Sequence, residues 1–382
     1  MLHQQSINTF WLCSTAYRKS RFFDCFIQVD MINAVTILNS LKNMMFGNEK
    51  TEESADGPVI IQVDSMSKNA TKVWEKMKVK QNQKKVEHMN PKTPVTEDKI
   101  RFVCISDTHA KIEYCPTDFV PDGDVLLHAG DITNVGQPKE IKKFNDYLAT
   151  LPHKHKVVIA GNHDLTFDEA MEEKLNRWHV KKEQVKAFLE ENGVNKVKEL
   201  LTNCVYLEDS MVTLYGINIY GSPWQPWFGD WGFNLERGEE MLKKWNWIPE
   251  KTDILITHGP PVGYGDTNFD GSRVGCVELL NTIQKRVKPL YHISGHIHEG
   301  YGVTSDGYTT YINASTCTLR YRPDNPPIVF DFPIPEGHSK QEVIDLTVTQ
   351  YGTQDNRKTE TDSDGDLVEF KEDEEEPVKL CA

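Results

Sequence analysis

From residue 99 onward, short runs of β-branched and apolar residues alternate with turns and with stretches of helical spacing. Residues 100–105, 124–129, 156–160, 253–257 and 290–294 read as buried strands. Residues 212–220 contain a hairpin, and 308–313 and 328–332 complete the strand set. Helical spacing falls at 138–150, 183–192, 236–245 and 277–287. Strands interleaved with helices predict an α/β domain with buried sheets over residues 99–335. No internal repeat interrupts it.

The flanks have another texture. Residues 49–98 are rich in Lys, Glu, Asn, Gln and Thr, with one apolar island at 59–61. Such a stretch buries too little apolar area to offset its ordering entropy. Residues 1–98 are therefore expected to be a low-order leader, with a short amphipathic helix at 31–45. That helix lacks the basic polar face of a membrane-surface anchor. Residues 336–382 are expected to be a mostly disordered acidic tail.

Composition narrows the class. The 382 residues are 38% hydrophobic and 26% charged, with mean hydropathy −0.53, as in a soluble globular protein. No uncharged apolar run of about 18 residues occurs, so no transmembrane helix is expected. The apolar stretch at 10–13 is soon broken by Arg18, Lys19, Arg21 and Asp24, unlike a secretory signal. Eight cysteines without a CxxC suggest neither a disulfide framework nor a zinc ribbon. Reduced thiols and a cytoplasmic location are the expectation. The net charge of −14 argues against broad nucleic-acid binding. Residues 355–382 carry 11 acidic and 4 basic groups, a net −7, which is half of that total.

The chemistry sits at predicted strand ends. Asp107 and His109 follow the first strand, and Asp131 follows Gly130 after the second. Asn162, His163 and Asp164 follow Gly161, His258 precedes Gly259, and His296 and His298 follow Gly295. Loops at strand ends of an open α/β sheet are where ligands gather. Asp, His and Asn supply the oxygen and nitrogen donors that divalent transition metals prefer. Asp-x-His alone or Gly-Asp alone is noise. All five blocks in order, each at a strand end, point to a metal site. Glycines before Asp131, Asn162 and His296 fit tight turns that let backbone approach a charged centre.

This order of motifs resembles the calcineurin-like metallophosphoesterase superfamily. The match is closer to its metallophosphoesterase-domain-containing (brain protein 239-like, UPF0046) branch. Residues 221–228 (GSPWQPWF), 231–235 (WGFNL), 257–261 (THGPP), 273–280 (RVGCVELL) and 295–316 carry that likeness. It covers roughly 99–335, and residues 261–272 depart from it. The resemblance implies a four-layer αββα sandwich, two mixed β-sheets flanked by helices, with two divalent metals at one edge. By the same resemblance Asp107, His109, Asp131 and His298 hold the first metal, and Asp131 bridges to the second. Asn162, His258 and His296 complete the second. His163 faces the scissile phosphate and Asp164 orients it. Mn, Fe, Zn and Co all suit such donors, with manganese the expected ion in vitro.

The implied activity is hydrolysis of phosphodiesters, such as cyclic nucleotides or nucleotide-like esters, by a hydroxide shared between two metals. The competing class is a low-turnover regulatory or scaffold protein that binds metal and nucleotide. Its leader and acidic tail would meet protein partners. Neither reading calls for nucleic acid or a membrane.

Other residues admit two readings. His128 and His292 are expected to be structural, and His153 and His155 solvated. Five of eight tryptophans lie between Trp224 and Trp247. They pack an irregular loop onto the sheet, or form an aromatic wall in which Trp224, Trp227 and Phe228 overhang the site. Arg273 is a phosphate or base contact in one reading and a surface ion pair in the other.

Overall fold

The computed structural model describes residues 59–116 and 118–352. The helix expected at 31–45 and the acidic run beyond 352 lie outside the described residues. In chain order the regular elements begin with α1 (Ala70–Met77), β1 (Lys84–Lys85), β2 (Lys99–Ile105), β3 (Val125–Ala129), α2 (Pro138–Thr150) and β4 (His155–Ile159). Then come α3 (Lys182–Glu191), β5 (Val205–Tyr206), β6 (Ser210–Leu214), β7 (Ile217–Ser222), β8 (Gln225–Pro226), β9 (Asn234–Leu235) and α4 (Glu239–Trp245). The chain continues through β10 (Ile254–Thr257), α5 (Val277–Thr282), β11 (Tyr291–Ser294), β12 (Gly302–Ser305), β13 (Thr310–Asn313), β14 (Ile328–Pro333) and β15 (Thr349–Gln350).

Two mixed sheets result. One has the order β14-β2-β3-β4-β5, the other β1-β12-β13-β11-β10-β7-β6-β15. In the first, β2, β3, β4 and β5 are parallel and β14 is antiparallel to β2. In the second, β7, β10, β11 and β13 are parallel. Because side chains alternate along a strand, each sheet has two distinct faces. Ile100, Phe102 and Cys104 of β2 meet Ile254, Ile256 and Ile293 in one core between the sheets. Val103 and Ile105 face the other way, toward Ile141, Phe144 and Leu148 of α2. Tyr220, Leu255 and Tyr311 turn to α1, α4 and α5. The layers are therefore helix, sheet, sheet, helix, as expected.

The expected strand and helix positions stand, with boundaries moved by one to three residues for most elements. The helix expected over 277–287 is α-helical only to Thr282 and ends in a π turn, Ile283–Val287. Short β1, β5, β12 and β15 lacked a periodic signal.

Two boundaries need correction. The compact unit begins at Val59, not at 99. Val73 and Trp74 of α1 bury themselves against Tyr264 and Val277. Asn69 caps that helix by accepting from Lys72 N at 3.0 Å. Arg101 makes a two-pronged pair with Asp331, at 2.8 and 2.9 Å. It also donates to the carbonyls of Pro91 and Thr93 at 2.9 and 2.7 Å, which ties the polar 91–93 stretch down. At the other end the fold runs past 335, since β15 pairs with β6. A few buried aromatic and ionic anchors outweigh a polar average composition. Among the described residues no helix is long and apolar enough to cross a membrane, and the five described cysteines are unpaired.

Candidate metal centre

The carboxyl ends of β2, β3 and β4 open at the same edge as those of β10 and β11. Asp107, Asp131 and Asn162 leave the first sheet there, and His258, His296 and His298 leave the second. The sheets are stitched at this edge by Thr316 N donating to the Ser106 carbonyl at 2.8 Å. The turns are tight. Asp107, His109, Asp131 and His296 adopt left-handed φ of 50°, 43°, 57° and 66°. A side chain on Gly161 would overlap the Asp131 carboxylate, and one on Gly295 would overlap that of Asp107.

Two fully buried carboxylates form the floor. Asp107 accepts from the Ser315 hydroxyl at 2.9 Å and from His296 N at 3.0 Å. Its Oδ1 lies 3.3 Å from His298 Nε2. Asp131 Oδ1 accepts from His163 N at 2.8 Å and lies 3.3 Å from His258 Nε2. Its Oδ2 lies 3.7 Å from His109 Nε2. The two oxygens of Asp131 thus face imidazoles on opposite sides.

Each of these imidazoles turns its Nδ1 to a main-chain carbonyl: His109 to Thr133 at 3.3 Å, His258 to Ala129 at 2.8 Å, His298 to Thr318 at 3.0 Å. With Nδ1–H donating outward, Nε2 presents a lone pair inward. His109 Nε2 and His298 Nε2 are 3.2 Å apart, and His258 Nε2 is 2.9 Å from Asn162 Oδ1. Ring nitrogens this close to carboxylate oxygens and to one another require positive charge among them, a proton on Nε2 or a metal ion in its place. Divalent cations satisfy that requirement, so the donor set fits metal ions. Three overlapping groups have ligand atoms within 4.8 Å of one another: Asp107, His109 and His298; His109, Asp131 and His163; Asp107, Asp131 and His258. The His296 ring lies beside them, its centroid 5.0 Å from that of His258.

The electrostatics follow from this crowding. Burial works to raise both carboxyls, yet the neighbouring histidines hold Asp107 and Asp131 below the usual carboxylate range. Burial opposes protonation of His258, but Asp131 and Asp107 push it up to about 9. Burial dominates at His109 and His296, each pushed down to about 3.

His163 stands beside this floor, but not held as expected. Asp164 accepts from the backbone N–H groups of Ile132, Thr133 and Gly161 and from the Thr133 hydroxyl, at 2.8–3.1 Å. It braces the loops and does not bond the His163 imidazole. The ring instead donates Nδ1–H to the Asn134 carbonyl at 2.7 Å. Burial and the Asp131 charge push Asp164 up to about 7.

Other expectations are corrected too. Trp224 is turned away, its indole N–H donating to Asp209 at 2.8 Å, where it lines a separate cavity of about 810 Å³. Trp227 is 62% exposed and Phe228 58%, with the Phe228 ring 5.8 Å from His296. Arg273 is no free phosphate contact. It pairs with buried Asp266 at 2.8 Å and lies 5.2 Å from the Trp74 ring centre. His153 and His155 are buried rather than solvated. His128 bonds Thr108 at 3.0 Å and His292 bonds Thr257 at 2.8 Å, structural roles as expected.

Sequence reasoning missed Tyr321, Lys111 and Asn134, and it did not single out Trp231 for the site. The Tyr321 ring sits 4.8 Å from His109 and 5.4 Å from His298, on left-handed backbone. Lys111 Nζ lies 5.8 Å over that ring. A tyrosine or lysine on an irregular loop carries no spacing signal. Only Trp231, inside the 231–235 stretch, had a local mark.

Comparison with known proteins agrees with the geometry. Residues 100–300 match the model of the Calcineurin-like phosphoesterase family. Metallophosphoesterase domain-containing protein 1 of Mus musculus is 53% identical over 73% of this chain and 87% of its own length. A UPF0046 protein of Caenorhabditis elegans is 48% identical over 73% of this chain and 98% of its own. More distant, a probable glycerophosphodiester phosphodiesterase of Arcobacter nitrofigilis is 27% identical over 47% of this chain and 58% of its own. With its motif order, its two mixed sheets and its cluster of carboxylates and imidazoles, the chain belongs to the calcineurin-like phosphoesterase family.

Proposed function

We propose that the protein is a metal-dependent phosphodiesterase acting on small diesters, with cyclic nucleotides or nucleotide-like esters as the substrate class. One observation carries this reading: three Nε2 lone pairs converge on two buried carboxylates, with each Nδ1 tied to a main-chain carbonyl. Asp107, His109, Asp131 and His298 would hold one ion, and Asp131, Asn162, His258 and His296 would hold a second. Divalent ions bound there would polarise a phosphoryl oxygen and acidify a water toward neutrality. His163 stands beside this floor with Nδ1 already engaged. As the imidazolium, with Nδ1–H kept on the Asn134 carbonyl, the ring would give its Nε2 proton to the leaving oxygen or use it to stabilise charge on the phosphoryl group. The Arcobacter nitrofigilis relative, a probable glycerophosphodiester phosphodiesterase, supports diester over monoester chemistry. Exposed Trp227 and Phe228 supply apolar surface for a planar leaving group.

The test is hydrolysis of bis-p-nitrophenyl phosphate and of 2′,3′- and 3′,5′-cyclic AMP by metal-stripped protein, with and without added Mn²⁺. Manganese-dependent turnover is expected, and it is expected to vanish in Asp131→Asn while folding is kept. No turnover by protein that has bound two ions would reject the reading in favour of a metal-binding regulatory protein.

A further inference from the structure

The His163 imidazole is gripped more firmly than one hydrogen bond requires. Its Nδ1 donates to the Asn134 carbonyl at 2.7 Å. Asn134 is itself pinned, its N and Nδ2 donating to the Glu140 carboxylate at 3.1 and 2.9 Å. One face of the imidazole stacks on Trp231, with centroids 3.9 Å apart and planes 26° apart. Trp231 also meets Trp178, at 3.8 Å and 32°. Two rings that near the same indole centre must occupy its opposite faces, so Trp231 is clamped between His163 and Trp178. The edge of His109 closes another side of the imidazole, at 4.5 Å and 78°.

The tryptophan is held in turn from both neighbours in the chain. Gly232 N donates to the carbonyl of Asn162, the residue before His163, at 3.0 Å. The Asp230 carbonyl accepts from the Trp178 indole at 3.2 Å. The Asp230 carboxylate is paired with Arg177 at 2.6 Å and Lys174 at 3.2 Å. Rotation of the imidazole about χ2 would break both the stack and the Asn134 bond. The plane of the ring, and hence the direction of Nε2, is set by Trp231 and Asn134. Asp164, the adjacent carboxylate, does not set it.

We propose that Trp231, backed by Trp178, is a positioning residue that aims His163 Nε2 at the leaving oxygen. This role rests on the phosphodiesterase reading above. Proton delivery to a leaving group matters most when that group is a poor one, and it depends steeply on geometry. Loss of the stack therefore acts on turnover of poor leaving groups and leaves substrate binding alone.

The experiment uses the full chain in two arms. In the first, imidazole ¹H–¹⁵N spectra are recorded on metal-free protein, with the His163 signals assigned by their loss in His163→Gln. Indole ring currents are expected to shift the His163 ring protons upfield, and Trp231→Leu to return them toward ordinary positions. In the second, kcat and KM are measured with Mn²⁺ on aryl phosphodiesters of rising leaving-phenol pKa. Trp231→Leu is expected to lower kcat about tenfold for the phenyl ester, and less than about threefold for the p-nitrophenyl ester, with KM and bound metal unchanged. Trp231→Phe is expected to keep most of the activity. Trp178→Leu, which leaves Trp231 in place, is expected to give the same leaving-group dependence at smaller size. It carries the comparison should Trp231→Leu fail to fold.

Equal losses across the series, or none, overturn the positioning role. Unshifted His163 protons overturn the stack itself, whatever the kinetics. A wild-type protein that hydrolyses no diester overturns the phosphodiesterase reading, and the use of the stack in turnover with it. A shifted His163 spectrum in that case still separates the two failures.

Discussion

Asp107, His109, Asp131 and His296 occupy left-handed backbone that residues with a Cβ rarely adopt. Each such conformation costs on the order of 1–3 kcal/mol and persists only where surrounding structure over-determines it. Here that support is visible in Asp164, whose four accepted bonds lock the 131–133 and 161–164 turns together. Asp107 does the same for the 295–298 turn through His296 N. Strain is thus concentrated in residues whose side chains must converge. His163 has no left-handed backbone and a different task. His163→Ala is expected to keep its bound metal, measured by elemental analysis, and to lose about 10²-fold or more in kcat on a diester. Retained metal with unchanged kcat would remove His163 from the mechanism. The motif residues were legible singly because a Gly-Asn-His-Asp run is rare. Their partners were not. The carbonyl that orients His163 belongs to Asn134, and a main-chain acceptor leaves no trace in residue type.

At the scale of elements, α1 shows why a polar stretch can still fold. The 49–98 stretch around it is polar, yet Trp74 is 4% exposed and sits edge-on to Tyr264 at 5.9 Å. The left-handed Gly263 lets the chain lie flat on that indole, where any side chain would overlap the ring. Thr71 accepts from Arg273 N at 2.9 Å, so α1 braces the 261–275 loop that follows His258. Trp74→Ala is expected to cost about 3–5 kcal/mol, as for other deep Trp truncations, read from urea denaturation midpoints. A change under about 0.5 kcal/mol, the range of surface substitutions, would mean that α1 is not part of the cooperative unit. Long periodic elements such as α2, β2 and β3 were readable from the chain. Two-residue strands such as β1 and β15 were not, because they owe their existence to an edge that another strand presents.

The whole molecule adds effects that no element carries. His153 and His155 lie where the α2–β4 connection is buried. Burial and Lys156 push His153 down to about 4. Burial with Lys154 and Lys156 does the same to His155. Their folded values lie below the ordinary 6.5, so the unfolded chain takes up protons first as pH falls. Stability from this source is full above pH 6.5 and is lost progressively toward pH 4. A His153→Gln, His155→Gln variant is expected to show a flatter decline of Tm between pH 6.5 and 4.5 than the wild type. Parallel curves would show that these histidines do not titrate with unfolding.

The sequence by itself determined the α/β class, the major strands and helices of the sandwich, and the Asp, Asn and His residues that converge at one edge. It could do so because short apolar runs, stretches of helical spacing and rare polar blocks at strand ends are local signals. The tertiary structure alone decided that residues 59–98 belong to the compact unit and that Arg273 is bound to Asp266. It alone placed Trp224 elsewhere and Trp231 on His163. Those outcomes depend on which surfaces meet when two sheets pack face to face, and residues far apart in the chain share no pattern until they do.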